Sequence, residues 1–259
     1  MFLSILYSQI HINLESSYIV SASHNSVNWQ AKPKTWPEDA VVSRNLRYRL
    51  VKDSFMGAAH IGWNQISWKN VTWENMIGFD WTPNKSLSGV TSRVHGSMDQ
   101  KYHDFLPEWL NLKNSKDHNI SIFHCMPHTY SLKRSIGYSY TSMLQWRHES
   151  RFEPFIGVSF LLTKFNTLYQ DVRNMHCTNP SSEDGLSKGQ SKFRMGVGTI
   201  AGVGYRVNKR MQLRFFASYQ IFRSIKQDTP VFNTEAVVSV QHRYHPRYWK
   251  WGTGIRISV

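Results

Sequence analysis

The feature that most constrains this chain is a long alternation of residue types between Lys192 and Val207. Its odd positions carry apolar or small side chains, whereas its even positions carry glycine, arginine or lysine, with Ile200 as the exception. A period of two predicts a β-strand whose two faces meet different surroundings. The apolar face suits lipid, and the glycine-rich face suits the crowded interior of a narrow barrel. Periodicity alone leaves a soluble sandwich open, because its apolar face would point inward.

The same alternation recurs along the chain and predicts eight strands. They cover residues 10–20, 42–50, 55–63, 138–146, 152–162, 192–207, 211–221 and 249–259. The predicted short turns are 52–54, 149–151 and 208–210, and the predicted long connections are 22–41, 69–135, 167–191 and 223–247. Short turns that alternate with long connections are typical of outer-membrane barrels.

The predicted fold is therefore all-β, an antiparallel up-and-down transmembrane β-barrel of eight strands with long extracellular loops. Residues 237–244 are predicted to be a strand extension or a protruding hairpin, and ten strands remain the alternative. Residues 1–9 read as a remnant of a secretion signal, and the other interpretation is an early start of the first strand. Residues 10–259 form a single domain in this prediction.

Aromatic residues support a membrane location. They make up 14% of the chain, while no apolar run approaches the roughly 18 to 20 residues that a spanning helix needs. The strands therefore have to carry the aromatic side chains, which favour the two interfaces of a bilayer. The predicted girdle residues are Trp63, Trp68, Trp73, Trp81, Trp146, Tyr205, Tyr219, Trp249 and Trp251.

Three segments carry a family resemblance: GYRVNKR at residues 204–210, FEPFIGV at 152–158 and GIRISV at 254–259. With their alternating strands they resemble small outer-membrane β-barrel proteins of Gram-negative bacteria, of the porin type or the OmpA/OmpX-like type. The resemblance covers residues 10–66 and 136–259. It implies a fold and a location in the bacterial outer membrane, and it brings no catalytic residues.

The basic charge of the chain has to be accommodated by this fold. The formal net charge is +14, but lysine and arginine are scattered without a dense run, so nucleic acid is not a predicted partner. In an outer membrane the same charge would meet anionic glycolipid. The predicted inward face carries nine cations against two carboxylates, which implies wet ends, a hydrated lumen or a bound anion. The cations are Arg47, Arg49, Arg147, Lys192, Arg194, Arg206, Arg214, Lys250 and Arg256, and the carboxylates are Glu15 and Glu153.

Within that set we predict a lumen charge network. Its members are Glu15, Arg47, Arg49, Glu153, Arg194, Arg206, Arg214 and Arg256.

The two cysteines, Cys125 and Cys177, fall in predicted loops and are candidates for a disulfide bridge in an oxidising compartment. The alternative is a metal site that adds His124, His128 and His176, but the paired C-x-x-C spacing of zinc sites is missing. The sequence therefore predicts neither a metal site nor a cofactor.

Two groups of residues are candidates for a catalytic site. His148-Glu149-Ser150 has an H-x-S spacing that resembles outer-membrane phospholipase and lipid A deacylase, but it lies on a predicted periplasmic turn and lacks the Asn-Gly that follows in those enzymes. His95, Ser97 and Asp99 are linked only by proximity in the sequence. The sequence therefore predicts no catalytic residues.

The predicted function is a non-enzymatic structural or binding role in the cell envelope. An eight-stranded barrel has a lumen that side chains can fill, so an open pore is not expected. Binding would involve the long outer loops, with the bilayer, anionic glycolipid or a protein partner in an envelope complex. The alternatives are a lipid-modifying enzyme of the outer membrane, a hydrolase or acyltransferase, and a soluble lipocalin-like ligand carrier.

Overall fold

A computed structural model describes residues 10–33, 42–68, 70–82, 87–91, 96–97, 119–120, 128–147, 150–171, 187–232 and 236–259. The strands in these ranges are β1 (Ile10–Pro33), β2 (Val42–Trp68), β3 (Val71–Trp81), β4 (Leu87–Thr91), β5 (Gly96–Ser97), β6 (Asn119–Ile120), β7 (His128–Trp146), β8 (Phe152–Asp171), β9 (Ser187–Arg206), β10 (Met211–Phe222), β11 (Ile225–Phe232) and β12 (Ala236–Ser258). No helix within these ranges is long and apolar enough to cross a membrane.

Eight antiparallel strands form a closed ring. Their order is β1-β2-β3-β7-β8-β9-β10-β12, and β12 pairs with β1 to close the ring. That pairing runs from His11 opposite Ser258 to Pro33 opposite Ala236. β4 pairs with β7 and β11 pairs with β12, so these short strands prolong β3 and β10 at one end of the barrel. The prediction of an eight-stranded up-and-down barrel is confirmed.

The predicted turn at 52–54 is wrong, because β2 continues through it. Lys52, Asp53 and Ser54 pair in register with Ser21, Val20 and Ile19 of β1. The polar triplet is tolerated in a strand because Asp53 is exposed and accepts a hydrogen bond of 2.7 Å from Tyr18 Oη.

The eighth strand is β3, which lies inside the region predicted as the long connection 69–135. β3 pairs with β2 on one side and with β7 on the other. The sequence of β3 already alternates, with apolar Trp73, Ile77 and Phe79 at odd positions and acidic Glu74 and Asp80 at even positions. In the structure the first group is exposed and the second is buried. The two errors offset each other, so the predicted strand count stayed correct.

The apolar face of the barrel points outward. Phe193, Met195 and Val197 of β9 are 49%, 63% and 55% exposed, whereas Ile200 on the opposite face is buried. Gly202 belongs to the inner face, where an added Cβ would lie 2.2 Å from the carbonyl oxygen of Phe215. The odd positions of β9 thus face the exterior as predicted, and a soluble barrel with an apolar interior is the wrong alternative.

Exposed aromatic side chains lie near both ends of the apolar band. Trp68, Trp73 and Trp146 are exposed near the short turns, and Trp81 and Trp249 are exposed further along the strands. Trp73 and Trp81 lie on the same strand about 26 Å apart at 3.3 Å per residue. At a strand tilt of about 35–45° this is roughly 20 Å along the membrane normal, slightly less than the roughly 25 Å apolar band of membrane barrels. The remaining predicted girdle residues are Trp63, which is half-buried, Tyr205 and Tyr219, which are half-buried, and Trp251, which is exposed.

Several strands are much longer than a membrane crossing requires. β1 has 24 residues and β2 has 27, against about 9 to 11 for a transmembrane strand. The predicted connections 22–41, 167–191 and 223–247 are therefore wrong in extent, and residues 237–244 are a strand extension within β12. The barrel wall continues beyond the aromatic residues on the side opposite the short turns.

Candidate functional site

The interior of the barrel is filled by alternating apolar and charged groups. One apolar cluster consists of Met76, Met143, Phe155, Ile200 and Phe216. A second cluster, nearer the long end of the barrel, consists of Leu132, Leu161, Phe165, Phe222, Ile225, Tyr244 and Tyr248. Polar side chains occupy the space around these clusters, and their pairing decides whether the lumen can hold a ligand.

Glu74 of β3 is the centre of the largest ion-pair network. Its carboxylate Oε2 accepts from Arg214 Nη2 at 2.7 Å and lies 2.8 Å from Arg256 Nη1. Glu74 is fully buried, and the two arginines are 2% and 5% exposed. Both guanidinium groups also donate to Gln145 Oε1, at 3.1 and 2.9 Å. One carboxylate and one amide thus hold together cations from two different strands.

His11 completes the shell around Glu74. Its Nε2 lies 2.8 Å from Glu74 Oε1, and its Nδ1 lies 3.4 Å from Arg256 Nη2. Because a guanidinium can only donate, Nδ1 has to accept, which assigns the proton of a neutral ring to Nε2. His11 therefore lies between Glu74 and Arg256, and a neutral ring adds no requirement for a further charge.

Glu153 links this network to the short-turn end of the barrel. Its Oε2 accepts from Gln145 Nε2 and from Gln212 Nε2, the latter at 2.7 Å. Its Oε1 lies 3.2 Å from Arg206 Nε. The side chain of Arg206 is 42% exposed, so this ion pair lies where the interior meets solvent.

Two further ion pairs lie apart from Glu74. Lys250 Nζ donates to Glu15 Oε2 at 3.0 Å and lies 4.8 Å from the centre of the Phe216 ring. Arg134 Nη2 donates to Asp80 Oδ2 at 2.7 Å. Both pairs are buried, so each charge depends on its partner for compensation.

The predicted excess of interior cations is corrected by β3 and β7. Glu74 and Asp80 were missed because residues 69–135 were predicted to be a loop, and Arg134 was missed for the same reason. With them, the carboxylates of Glu15, Glu74, Asp80 and Glu153 each form an ion pair with a lysine or arginine. The paired interior gives no reason to place an anion in the middle of the lumen.

The members of the predicted lumen charge network have different positions. Glu15, Glu153, Arg214 and Arg256 are buried in the interior, and Arg206 lies at its edge. The structure brings Arg214 and Arg256 together through Glu74, which the prediction lacked. Arg194 is half-buried and donates to the carbonyl of Phe193 at 3.0 Å. The backbones of Arg47 and Arg49 pair with Ser26 and His24, and their side chains lie outside the described part of the structure.

The disulfide and metal predictions fall outside the described residues. Cys125 and Cys177 both lie there, as do His124 and His176. Among the residues that the structure describes, there is no group of three or more histidine, cysteine or acidic side chains able to hold a metal ion.

Most of the candidate catalytic residues are also outside the described ranges. This applies to His148, Glu149, His95 and Asp99. Ser150 lies in the short connection between β7 and β8, where its hydroxyl donates to the carbonyl of Phe152 at 3.2 Å.

The exterior carries a cluster of cations beyond the aromatic residues of β12, which we call the outer basic patch. It consists of Arg223, Lys226, Arg243 and Arg247, all exposed. Lys226 of β11 pairs in register with Arg243 of β12.

The patch lies next to a pair of exterior aromatic side chains, Trp249 and Tyr219, on the side of the long strand ends. We call this pair the aromatic step. Arg247 is two residues from Trp249 on the same face of β12, and the Trp249 ring packs at a tilt against the Tyr219 ring, with 4.5 Å between centroids. His245 lies between the two arginines of β12. Partial burial lowers the pKa of His245, and the positive charges of Arg243 and Arg247 lower it further. A neutral His245 leaves the charge of the patch to arginine and lysine.

Comparison with known proteins gives one family match. The family described as "Opacity family porin protein" matches residues 79–244, which is more than half of the chain. No curated protein matches.

Several solved structures are similar to this chain. Outer membrane protein OprG from Pseudomonas aeruginosa is 9% identical with a TM-score of 0.46, covering 98% of each chain. Outer membrane protease OmpT from Escherichia coli is 8% identical with a TM-score of 0.43, covering 95% of this chain and 97% of its own. Neisserial surface protein A is 11% identical with a TM-score of 0.37, covering 94% of this chain and 99% of its own.

Proposed function

This chain belongs to the Opacity family of porin proteins, and on that premise we propose that it is a non-enzymatic surface protein. It is an outer-membrane β-barrel of the bacterial cell envelope. Its function is to bind anionic glycolipid of the outer leaflet through the outer basic patch and to present the ends of its long strands to the exterior. The observation that carries this proposal is the position of the patch immediately beyond an exterior aromatic step.

The filled interior supports a role at the surface in place of transport. Ion pairs around Glu74, Glu15 and Asp80 cross the described lumen, with apolar clusters packed between them. Moving a solute through this interior would require breaking buried ion pairs, each of which is costly to separate. The packed interior therefore argues against diffusion of solutes through the barrel.

The position of the outer basic patch along the membrane normal supports glycolipid as the ligand. Tryptophan and tyrosine prefer the headgroup level of a bilayer, so Trp249 and Tyr219 mark the outer interface. Arg247 and Arg243 follow on the same face, at the level where phosphorylated headgroups would lie. Guanidinium groups bind phosphate through paired hydrogen bonds, which favours an anionic headgroup over a neutral one.

The long strands support a second contact outside the membrane. β1, β2 and β12 carry the barrel wall beyond the patch and end in connections at its far side. These connections are the place where a protein partner of a larger envelope complex would bind in this proposal.

The test is glycolipid binding by a variant that loses two charges of the patch. We expect Arg243→Gln together with Arg247→Gln to weaken binding of phosphorylated lipid A in detergent by about tenfold, because two charge-assisted contacts are lost. Binding is measured by native mass spectrometry or by titration with a fluorescent lipid A.

The matched control removes two exposed cations from the opposite end of the barrel. Lys209→Gln with Arg210→Gln changes the net charge equally in the short turn between β9 and β10 and should leave affinity within about twofold. Equal losses in both variants would show that net charge, not the patch, binds the lipid, and the proposal would be wrong.

The non-enzymatic part of the proposal needs its own measurement. Purified protein is incubated with phospholipid and with lipid A, and released fatty acids are counted, with Ser150→Ala and His148→Ala in parallel. We expect no release above a protein-free blank for any of the three. Release by the unaltered protein that is lost in either variant would instead establish a lipid hydrolase.

A further inference from the structure

A cavity of about 220 Å³ opens at the short-turn end of the barrel, opposite the outer basic patch. Five of its lining residues are cations and one is an acid. The cations are Arg147, Arg206, Lys209, Arg210 and Arg256, and the acid is Glu153. Short turns face the periplasm in outer-membrane barrels, so this cavity opens toward the periplasmic side.

The turn between β9 and β10 holds two of these cations at the rim. Asn208 Oδ1 accepts from the backbone N–H groups of Arg210 and Met211, at 2.8 and 2.9 Å. This side-chain bridge fixes the turn, so Lys209 and Arg210 are presented by an ordered backbone.

The charges around the cavity are unbalanced, in contrast to the middle of the lumen. Glu153 is the acid of the lining, and its oxygens already accept from Gln145, Gln212 and Arg206. Arg256 uses both terminal nitrogens on interior partners, while its buried Nε has no hydrogen-bond partner among the described residues. The lining thus holds one carboxylate, which is already used, against five cations.

We propose that this cavity is a binding site for a phosphate group on the periplasmic side. Two guanidinium groups, those of Arg147 and Arg210, and the ammonium of Lys209 line the cavity outside the ion pairs of Glu153 with Arg206 and of Glu74 with Arg256. They suit a group with more than one acceptor oxygen and up to two negative charges. Phosphate has that chemistry, and guanidinium forks match its geometry. The group is either free inorganic phosphate or the phosphate of an anionic phospholipid in the inner leaflet. Because the cavity is at the other end of the barrel, its occupancy does not depend on glycolipid binding at the outer basic patch.

The first experiment measures binding of inorganic phosphate to the folded barrel in detergent by titration calorimetry. We expect Arg147→Gln with Arg210→Gln to weaken binding by about tenfold or more, since two guanidinium contacts outside the ion pair of Glu153 are lost. Lys209→Gln with Arg210→Gln removes exposed rim charges without touching the ion pair of Glu153. That variant should fold normally and weaken binding by about threefold.

The second experiment separates the two sources of phosphate. The barrel is extracted from vesicles of phosphatidylglycerol or of phosphatidylcholine, and retained lipid is counted by native mass spectrometry. Retained phosphatidylglycerol that is lost in the rim variant identifies a lipid headgroup, whereas phosphate binding without lipid retention identifies the free ion.

The matched control is Arg243→Gln with Arg247→Gln at the opposite end, which should change neither readout. Binding of neither probe to the unaltered protein would overturn the proposal. Equal losses in the cavity variants and in this control would also overturn it, because binding would then follow net charge.

Discussion

The interior around Glu74 and the outer basic patch use the same types of cation in opposite ways. Arg214 and Arg256 are almost fully buried and share the carboxylate of Glu74 and the amide of Gln145. Arg243 and Arg247 are exposed and lie beside an aromatic interface. Desolvation forces buried charges into pairs, whereas exposed charges can stay available for a partner. The position of a cation, and not the net charge of the chain, therefore decides whether it stabilises the barrel or is available to bind a ligand.

The largest effect should follow from removing the shared carboxylate. Glu74→Gln leaves Arg214 and Arg256 buried without their charge partner and should lower the free energy of unfolding by about 3–5 kcal/mol. Urea unfolding followed by tryptophan fluorescence in lipid vesicles measures this. Asp228→Asn, which removes an exposed carboxylate of β11, should change it by less than about 0.5 kcal/mol. Similar losses in both variants would remove the distinction between interior and exterior charges.

A double-mutant cycle measures the coupling energy of one interior ion pair, Asp80 with Arg134. Asp80→Asn and Arg134→Gln should each destabilise the barrel, and together they should cost less than the sum of the two by roughly 1–3 kcal/mol. The reason is that Asp80 and Arg134 are bonded at 2.7 Å in a buried setting. The same unfolding assay gives the coupling energy. A coupling near zero would mean that the pair is not formed in the membrane.

Packing around the charges gives a smaller effect. Gly202→Ala should destabilise the barrel by about 1–3 kcal/mol, because the new methyl group would meet backbone atoms of Phe215 and Phe216. Gly189 of the same strand has no atom closer than 3.8 Å to its ideal Cβ, so Gly189→Ala should be nearly neutral. Thermal unfolding on a heat-modifiable gel compares the two. Equal stability would show that the interior is looser than these contacts imply.

The smallest expected effect is the response to salt, which should differ between the outer basic patch and the interior around Glu74. Raising ionic strength from about 0.1 M to 1 M shortens the screening length from about 10 Å to 3 Å, which weakens contacts of exposed charges. Lipid A binding should therefore fall several-fold, while the urea midpoint of the unaltered barrel changes little. A lipid A binding constant that does not change with ionic strength would argue against the outer basic patch as the ligand site.

The sequence was most informative where one strand carried a long, regular alternation. Most of β9 was predicted correctly, because apolar and glycine-rich or basic positions alternate from residue 192 onward, whereas its first five residues, 187–191, fell in the predicted connection 167–191. β2 was divided in two because Lys52, Asp53 and Ser54 resemble a turn, although Asp53 is satisfied by Tyr18 from the neighbouring strand. A cross-strand hydrogen bond of this kind has no signature in local sequence.

The candidate sites were harder to predict because they depend on strand register. Glu74 and Arg214 are 140 positions apart and meet only inside the closed barrel. Lys226 and Arg243 become neighbours through the pairing of β11 with β12. Recognising the alternation of Trp73, Ile77 and Phe79 would have revealed β3 and its two carboxylates. The outer basic patch required the register itself.

Conductance of the unaltered protein in a planar lipid bilayer tests most directly whether ion pairs and apolar clusters close the lumen. An interior crossed by paired charges and apolar clusters predicts no sustained ion current at any moderate voltage. Glu74→Gln serves as a comparison, because it breaks the central pairing. A lasting conductance step from the unaltered barrel would contradict the account, since it would show a continuous aqueous path through the lumen.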